Sequence, residues 1–98
     1  MTDTVQYALG LLAEECGEVV QEIGKAWRFG LTTPTTQGSR GTAHDHITTE
    51  LGDVLAAIRY AATRGVVDLD RIEAHAEMKL TRLLDPDSRD NLGRRLAP

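Results

Sequence analysis

The sequence predicts an all-α protein, a small helical bundle completed by homo-oligomerisation, and three observations carry that reading. Apolar residues recur at 3.6-residue spacing in separate stretches, and no stretch alternates apolar and polar residues as a half-buried strand does. The chain also has only 98 residues and four aromatics, too little to bury a thick core alone. Packing against a copy of itself, as a homodimer or homotetramer, would complete that core.

The first helix is expected from about Asp3 to Phe29, where Val5, Leu9, Leu12, Cys16, Val19, Val20, Ile23 and Trp27 fall on one stripe without a break. Within that stripe Cys16 and Trp27 read as core residues. Gly10, Gly17 and Gly24 each weaken the helix by up to about 1 kcal/mol relative to alanine, so packing must hold it together. Their spacing puts them on nearly one line, which permits close helix approach. From Gly30 to about Asp45 the chain is rich in Thr, Gly and Pro and reads as a long, mobile loop.

A second helix is expected from about His46 to Arg64, with Ile47, Leu51, Val54, Leu55, Ile58 and Ala62 on one face and Gly65 as its stop. The third begins after Asp68, a suitable N-cap, carries Leu69, Ile72, Ala76, Leu80 and Leu83 inward, and ends before Pro86. Residues 1–84 therefore read as a single helical domain and 85–98 as a polar tail.

Composition narrows the function. A net charge of −4 with no basic tract argues against nucleic-acid binding. One cysteine, Cys16, cannot form an internal disulfide. No apolar run spans a bilayer and no secretory signal precedes the first helix, so no membrane association and a cytoplasmic location are expected.

The distribution of charge is more informative than its sum. Residues 1–24 hold Asp3, Glu14, Glu15, Glu18 and Glu22 but no Lys or Arg. Like charges three or four apart on a helix cost roughly 0.2–0.5 kcal/mol per pair, so such a stretch needs a cation from outside itself, either basic side chains or a hard metal ion. Measured around the helix, Glu15, Glu18 and Glu22 lie about 115° from an apolar face centred near Val5 and Ile23. On the second helix Glu50 and Asp53 lie about 120° from the apolar centre in the same sense. Antiparallel packing then brings both stripes to one groove, where four carboxylates converge.

An all-oxygen set suits Mg²⁺, with Mn²⁺ as an alternative, better than Zn²⁺. His44 and His46 could add metal ligands, but loop histidines are usually solvent-exposed. A di-iron bundle would need Glu-x-x-His, which the chain lacks. On the third helix Arg71, His75, Lys79 and Arg82 form a basic stripe about 105° from its apolar face, as a phosphate-bearing ligand would require. Either acidic pair alone is most often a solvated face; two pairs with one spacing and nearly one offset point to a metal site.

The run from Leu12 to Glu22, with Glu14, Glu15 and Glu18, followed by Thr49-Glu50-Leu-Gly-Asp53-Val-Leu55, resembles the MazG-like, all-α nucleoside triphosphate pyrophosphohydrolases, whose signature is Glu-Glu-x-x-Glu on one helix and Glu-x-x-Asp on the next. The resemblance covers the chain from the first helix to the third. It implies Mg²⁺-dependent cleavage of a (deoxy)nucleoside triphosphate to the monophosphate and pyrophosphate, with Glu15, Glu18, Glu50 and Asp53 as metal ligands. Glu14 or Glu18 would take the proton of the attacking water, and Lys79 and Arg82 would face the phosphates. Where many members carry Asn shortly before that Lys, Glu77 stands here. Trp27 is a further candidate, as a surface on which a base stacks. The non-enzymatic alternative is a helical oligomerisation or adaptor module whose acidic face binds a basic partner.

Overall fold

The computed structural model of the protein describes residues 1–32, 34, 41–89 and 93–94. Its elements are α1 (Asp3–Phe29), α2 (Ala43–Thr63) and α3 (Leu69–Leu84), with no strand among the described residues, so the all-α expectation holds. The chain divides into two compact units, Met1–Val67 with α1 and α2, and Asp68–Pro98 with α3.

In the first unit, α1 starts where the Thr2 hydroxyl accepts the Val5 N–H at 3.2 Å, and Asp3 in the first turn and Arg28 in the last complement the helix dipole. It ends at Gly30, as the sequence predicts. Helix α2 starts three residues ahead of the expected His46. The cause is a reciprocal cap: the Thr42 hydroxyl accepts the Asp45 N–H at 3.3 Å while the Asp45 carboxylate accepts the Thr42 N–H at 2.9 Å. Those bonds turn the last residues of the expected loop into helix. The connection is tied further by the His44 N–H donating to the Leu31 carbonyl at 2.9 Å and by a bridge between Pro34 and Thr42. The mobility expected of the loop concerns, for residues 33 and 35–40, positions outside the described residues.

At the other end of α2 the Gly65 N–H donates to the Ala62 carbonyl and the Val66 N–H to that of Ala61. This closure needs a left-handed residue at position 65, and Gly65 supplies it with φ 74°. Tyr7, near the start of α1, meets Tyr60, near the end of α2, edge to face at 5.6 Å. With the Leu31–His44 bond at the opposite end, this makes the pair antiparallel.

The two helices meet through one edge of each apolar stripe and the small and acidic residues beside it, a shift from the contact face the sequence predicts: Val19 is buried and Val5, Leu12, Ile47, Val54 and Ile58 are half-buried. The buried residues are Ala8 and Val19 on α1 and Ala43, Ala57 and Ala61 on α2. Around each helix these share a side with Glu15, Glu22 and Glu50, so those three line the seam while Glu18 and Asp53 flank it. The centre of the α1 apolar stripe, near Val5 and Ile23, is turned about 60° away from that seam. Val20 is 68% exposed, Trp27 is 86% exposed, and Cys16 is exposed, so neither Cys16 nor Trp27 is a core residue. Leu51 and Leu55 of α2 are also exposed. The physical reason is that small side chains let the seam close tightly, while the bulky stripes, offset in the same sense on antiparallel helices, emerge together on one side of the hairpin. Among the described residues no large side chain is fully buried.

In the second unit, Asp68 caps α3 by accepting the Arg71 N–H at 3.1 Å, and the helix runs to Leu84 as expected. The expectation that Leu69, Ile72, Ala76, Leu80 and Leu83 point inward fails, because α3 buries no residue. Its unit holds no second helix for that stripe to face. After the helix the Asp85 carboxylate accepts the Asp87 N–H at 2.9 Å, forming a turn. Of the predicted polar tail, residues 90–92 and 95–98 lie outside the described residues.

The line of Gly10, Gly17 and Gly24 lies across α1 from the seam, and a Cβ at any of them would meet nothing within 4 Å. The close helix approach expected there is not used within the chain. Gly17→Ala should therefore raise the thermal stability by up to about 1 kcal/mol through helix propensity alone. A lowered melting temperature would show instead that something packs on that line.

Candidate metal centre

Residues three apart on a helix share a face, and the antiparallel register sets Glu15 opposite Asp53 and Glu18 opposite Glu50. One carboxylate oxygen from each of the four lies within 4.8 Å of those of the others. Glu15, Glu18 and Glu50 are half-buried and Asp53 is exposed, so the cluster opens to solvent on the Asp53 side. The alanines of the seam explain the closeness: with only Cβ methyls as spacers at Ala8, Ala57 and Ala61, the helix axes approach and carry the acidic side chains together.

No cationic side chain among the described residues pairs with the cluster. Among the described residues the ion pairs are Lys25 with Glu22 at 3.1 Å and His44 with Asp45 at 3.7 Å, both outside the quartet. Glu15 Oε2 and Glu50 Oε2 are buried without a hydrogen-bond partner. Desolvation first, then the charges of Glu18 and Asp53, push the Glu15 carboxyl above its ordinary value. For Glu50 the hydrogen bond with the Glu18 carboxyl leads, followed by desolvation and the Glu18 charge, and the shift is again upward. Asp45 shows the opposite case, pulled down by its cap hydrogen bonds to Thr42.

Orphaned oxygens, crowded negative charge and an all-oxygen donor set are what a hard divalent cation relieves. The residues present fit such an ion.

The other expected site residues fall as follows. Glu14 is exposed, and its charge adds to the upward shift of Glu15. Lys79 and Arg82 are exposed and three apart on α3, in the second unit. Trp27 lies nine residues after Glu18, about half a turn around α1, so it projects away from the quartet of its own chain. His46 departs from the sequence reading. It is not an exposed loop histidine but a half-buried residue in the first turns of α2, with a buried Nε2 that has no partner. The signal that could have found it was its spacing of four from Glu50.

The profile of the MazG nucleotide pyrophosphohydrolase domain matches residues 3–83. No curated protein and no solved structure matches the chain. Among the described residues no helix is long and apolar enough to cross a membrane.

The upward shifts set the sign of a pH effect. A carboxyl raised above its ordinary 4.5 contributes stability that is present below that value and lost as pH rises through the folded-state value. In metal-free protein at neutral pH, Glu15→Gln and Glu50→Gln should each melt above the wild type, and the advantage should shrink as the pH falls into the carboxylate range. Thermal melts in chelator test this, and variants melting below the wild type at neutral pH would contradict it.

Proposed function

Since the chain belongs to the MazG nucleotide pyrophosphohydrolase family, we propose that it hydrolyses a (deoxy)nucleoside triphosphate between the α and β phosphates, releasing the monophosphate and pyrophosphate. The observation that carries this reading is the convergence of Glu15, Glu18, Glu50 and Asp53 within one 4.8 Å cluster. Those four would hold Mg²⁺, or Mn²⁺ in its place. Bound there, the ion would neutralise phosphate oxygens and make a water acidic enough to attack phosphorus at neutral pH.

The remaining roles fall to the chain itself. Glu14, exposed beside the cluster, and Glu18, within it, are the two candidates to take the proton of the attacking water. Lys79 and Arg82 offer a cationic face to the phosphates. Trp27 would stack on a base only outside the quartet of its own chain, which makes the self-association surface its better assignment. In this reading residues 1–84 form the catalytic domain of a cytoplasmic enzyme, and 85–98 are a tail.

The adaptor alternative explains the charge but not its placement. A face that recruits a basic partner presents its carboxylates outward, whereas Glu15 and Glu50 each turn an oxygen into the seam. Homo-oligomerisation is part of the proposal, with the side of the hairpin that carries Val20, Ile23, Trp27, Leu51 and Leu55 as the face a second copy covers.

Incubation of a nucleoside triphosphate panel with Mg²⁺ should release pyrophosphate. Asp53→Asn should lower kcat by more than the roughly 10–100-fold that loss of an outer partner of a metal ligand costs. Orthophosphate as the sole inorganic product would indicate another phosphohydrolase chemistry, and no product with any nucleotide would favour the adaptor. Separately, Val20→Glu should shift the protein to a smaller species in light scattering; an unchanged mass would remove this flank from the interface.

A further inference from the structure

His46 shares a face of α2 with Glu50, one turn further on, and its Nε2 is held from solvent without a partner. Buried polar atoms are costly to leave unpaired, so an orphan of this kind signals a partner that the bare chain lacks. Among the described residues the other side-chain atoms in that condition are Glu15 Oε2 and Glu50 Oε2, both in the quartet. All three lie along one stretch of the seam, yet His46 is not part of the carboxylate cluster.

The surroundings of His46 limit what that partner is. The register that sets Glu18 against Glu50 sets Glu22 against His46, and Glu22 is already engaged by the Lys25 ammonium at 3.1 Å. From the quartet towards the start of α1 the buried seam residues are Ala8, Ala57 and Ala61, with the Tyr7–Tyr60 ring pair beside them. In the other direction lie His46, Lys25 and the N-terminal end of α2, the positive end of its dipole. A polyanion anchored at the quartet and extended in this direction meets the orphaned Nε2 of His46 and the positive end of α2.

We infer that His46 is a substrate-binding residue, its Nε2–H donating to a phosphate oxygen of a triphosphate that runs from the quartet towards the α1–α2 connection. This rests on the function proposed above and adds to it a polarity for the polyphosphate and a residue outside the acidic motifs.

The test is calorimetric titration of the full-length protein with inorganic tripolyphosphate in the presence of Mg²⁺, for the wild type, His46→Gln and His46→Leu. Glutamine keeps a side-chain N–H; leucine keeps bulk without a donor. His46→Leu should weaken tripolyphosphate binding about tenfold or more, as for loss of a hydrogen bond to a charged group, and should raise KM for the nucleotide more than it lowers kcat. His46→Gln should stay near the wild type, neither variant should melt below the wild type, and all three should share one affinity for Mg²⁺ alone. Unchanged tripolyphosphate binding by His46→Leu, or an equal loss in both variants, would overturn the role of His46 while leaving the metal reading intact. A fall in melting temperature and Mg²⁺ affinity alongside the loss would reduce His46 to a structural residue. A wild type that binds no tripolyphosphate with Mg²⁺ would take down the proposed function and this inference with it.

Discussion

The structure depends on one constraint: four carboxylates are held together in a helix–helix seam whose spacers are alanines. Repulsion of this kind is ordinarily relieved by letting acidic side chains swing into water, and exposed acidic stripes on helices do so at small cost. Here the backbone forbids it for Glu15, Glu18 and Glu50, because the seam narrows to methyl groups at Ala8, Ala57 and Ala61 and carries the half-buried acids with it. The raised carboxyls of Glu15 and Glu50 are the electrostatic expression of that confinement. A cation that binds only the folded arrangement then stabilises the fold by mass action, so binding and folding are linked.

Placing the acids in the seam has a second consequence, for where the hydrophobic surface goes. A helix of this length has one wide apolar stripe, and with alanine and glutamate in the middle of the seam only one edge of that stripe, Val5, Leu12 and Val19 on α1, is covered. In the first unit the rest emerges on one side of the hairpin through Val20, Ile23 and Trp27 of α1 and Leu51 and Leu55 of α2. Site and exposed apolar surface are thus separate faces of the same two helices. Short isolated helices are marginal in water, and the same consideration applies to α3, which buries nothing of its own.

Much of this was legible in the sequence, and the parts that were not have identifiable causes. Helix existence and most boundaries followed from periodicity and caps: Asp3–Phe29 and Leu69–Leu84 agree with expectation. The start of α2 was misjudged because Thr42 and Asp45 form a capping box inside a stretch whose composition reads as loop. The four acidic positions and their convergence followed from spacing and angular offset. Their environment did not, since the centre of the bulky apolar stripe is the contact face the sequence predicts, whereas the helices meet at the edge of that stripe and over small residues. That single substitution of one face for another explains why Trp27 and Cys16 are exposed and why Glu15 and Glu50 are partly buried. His46 was set aside for a related reason: at the expected edge of the helix it reads as solvent-exposed, whereas the earlier start of α2 puts it a full turn inside, on the face of Glu50.

The most direct test of the account is anomalous diffraction from crystals of the full-length protein grown with Mn²⁺. It predicts a single strong peak among Glu15, Glu18, Glu50 and Asp53, within about 2.0–2.6 Å of their oxygens, as hard divalent cations bind. Ordered carboxylates contacting only water or basic side chains, with manganese elsewhere or absent, would contradict it.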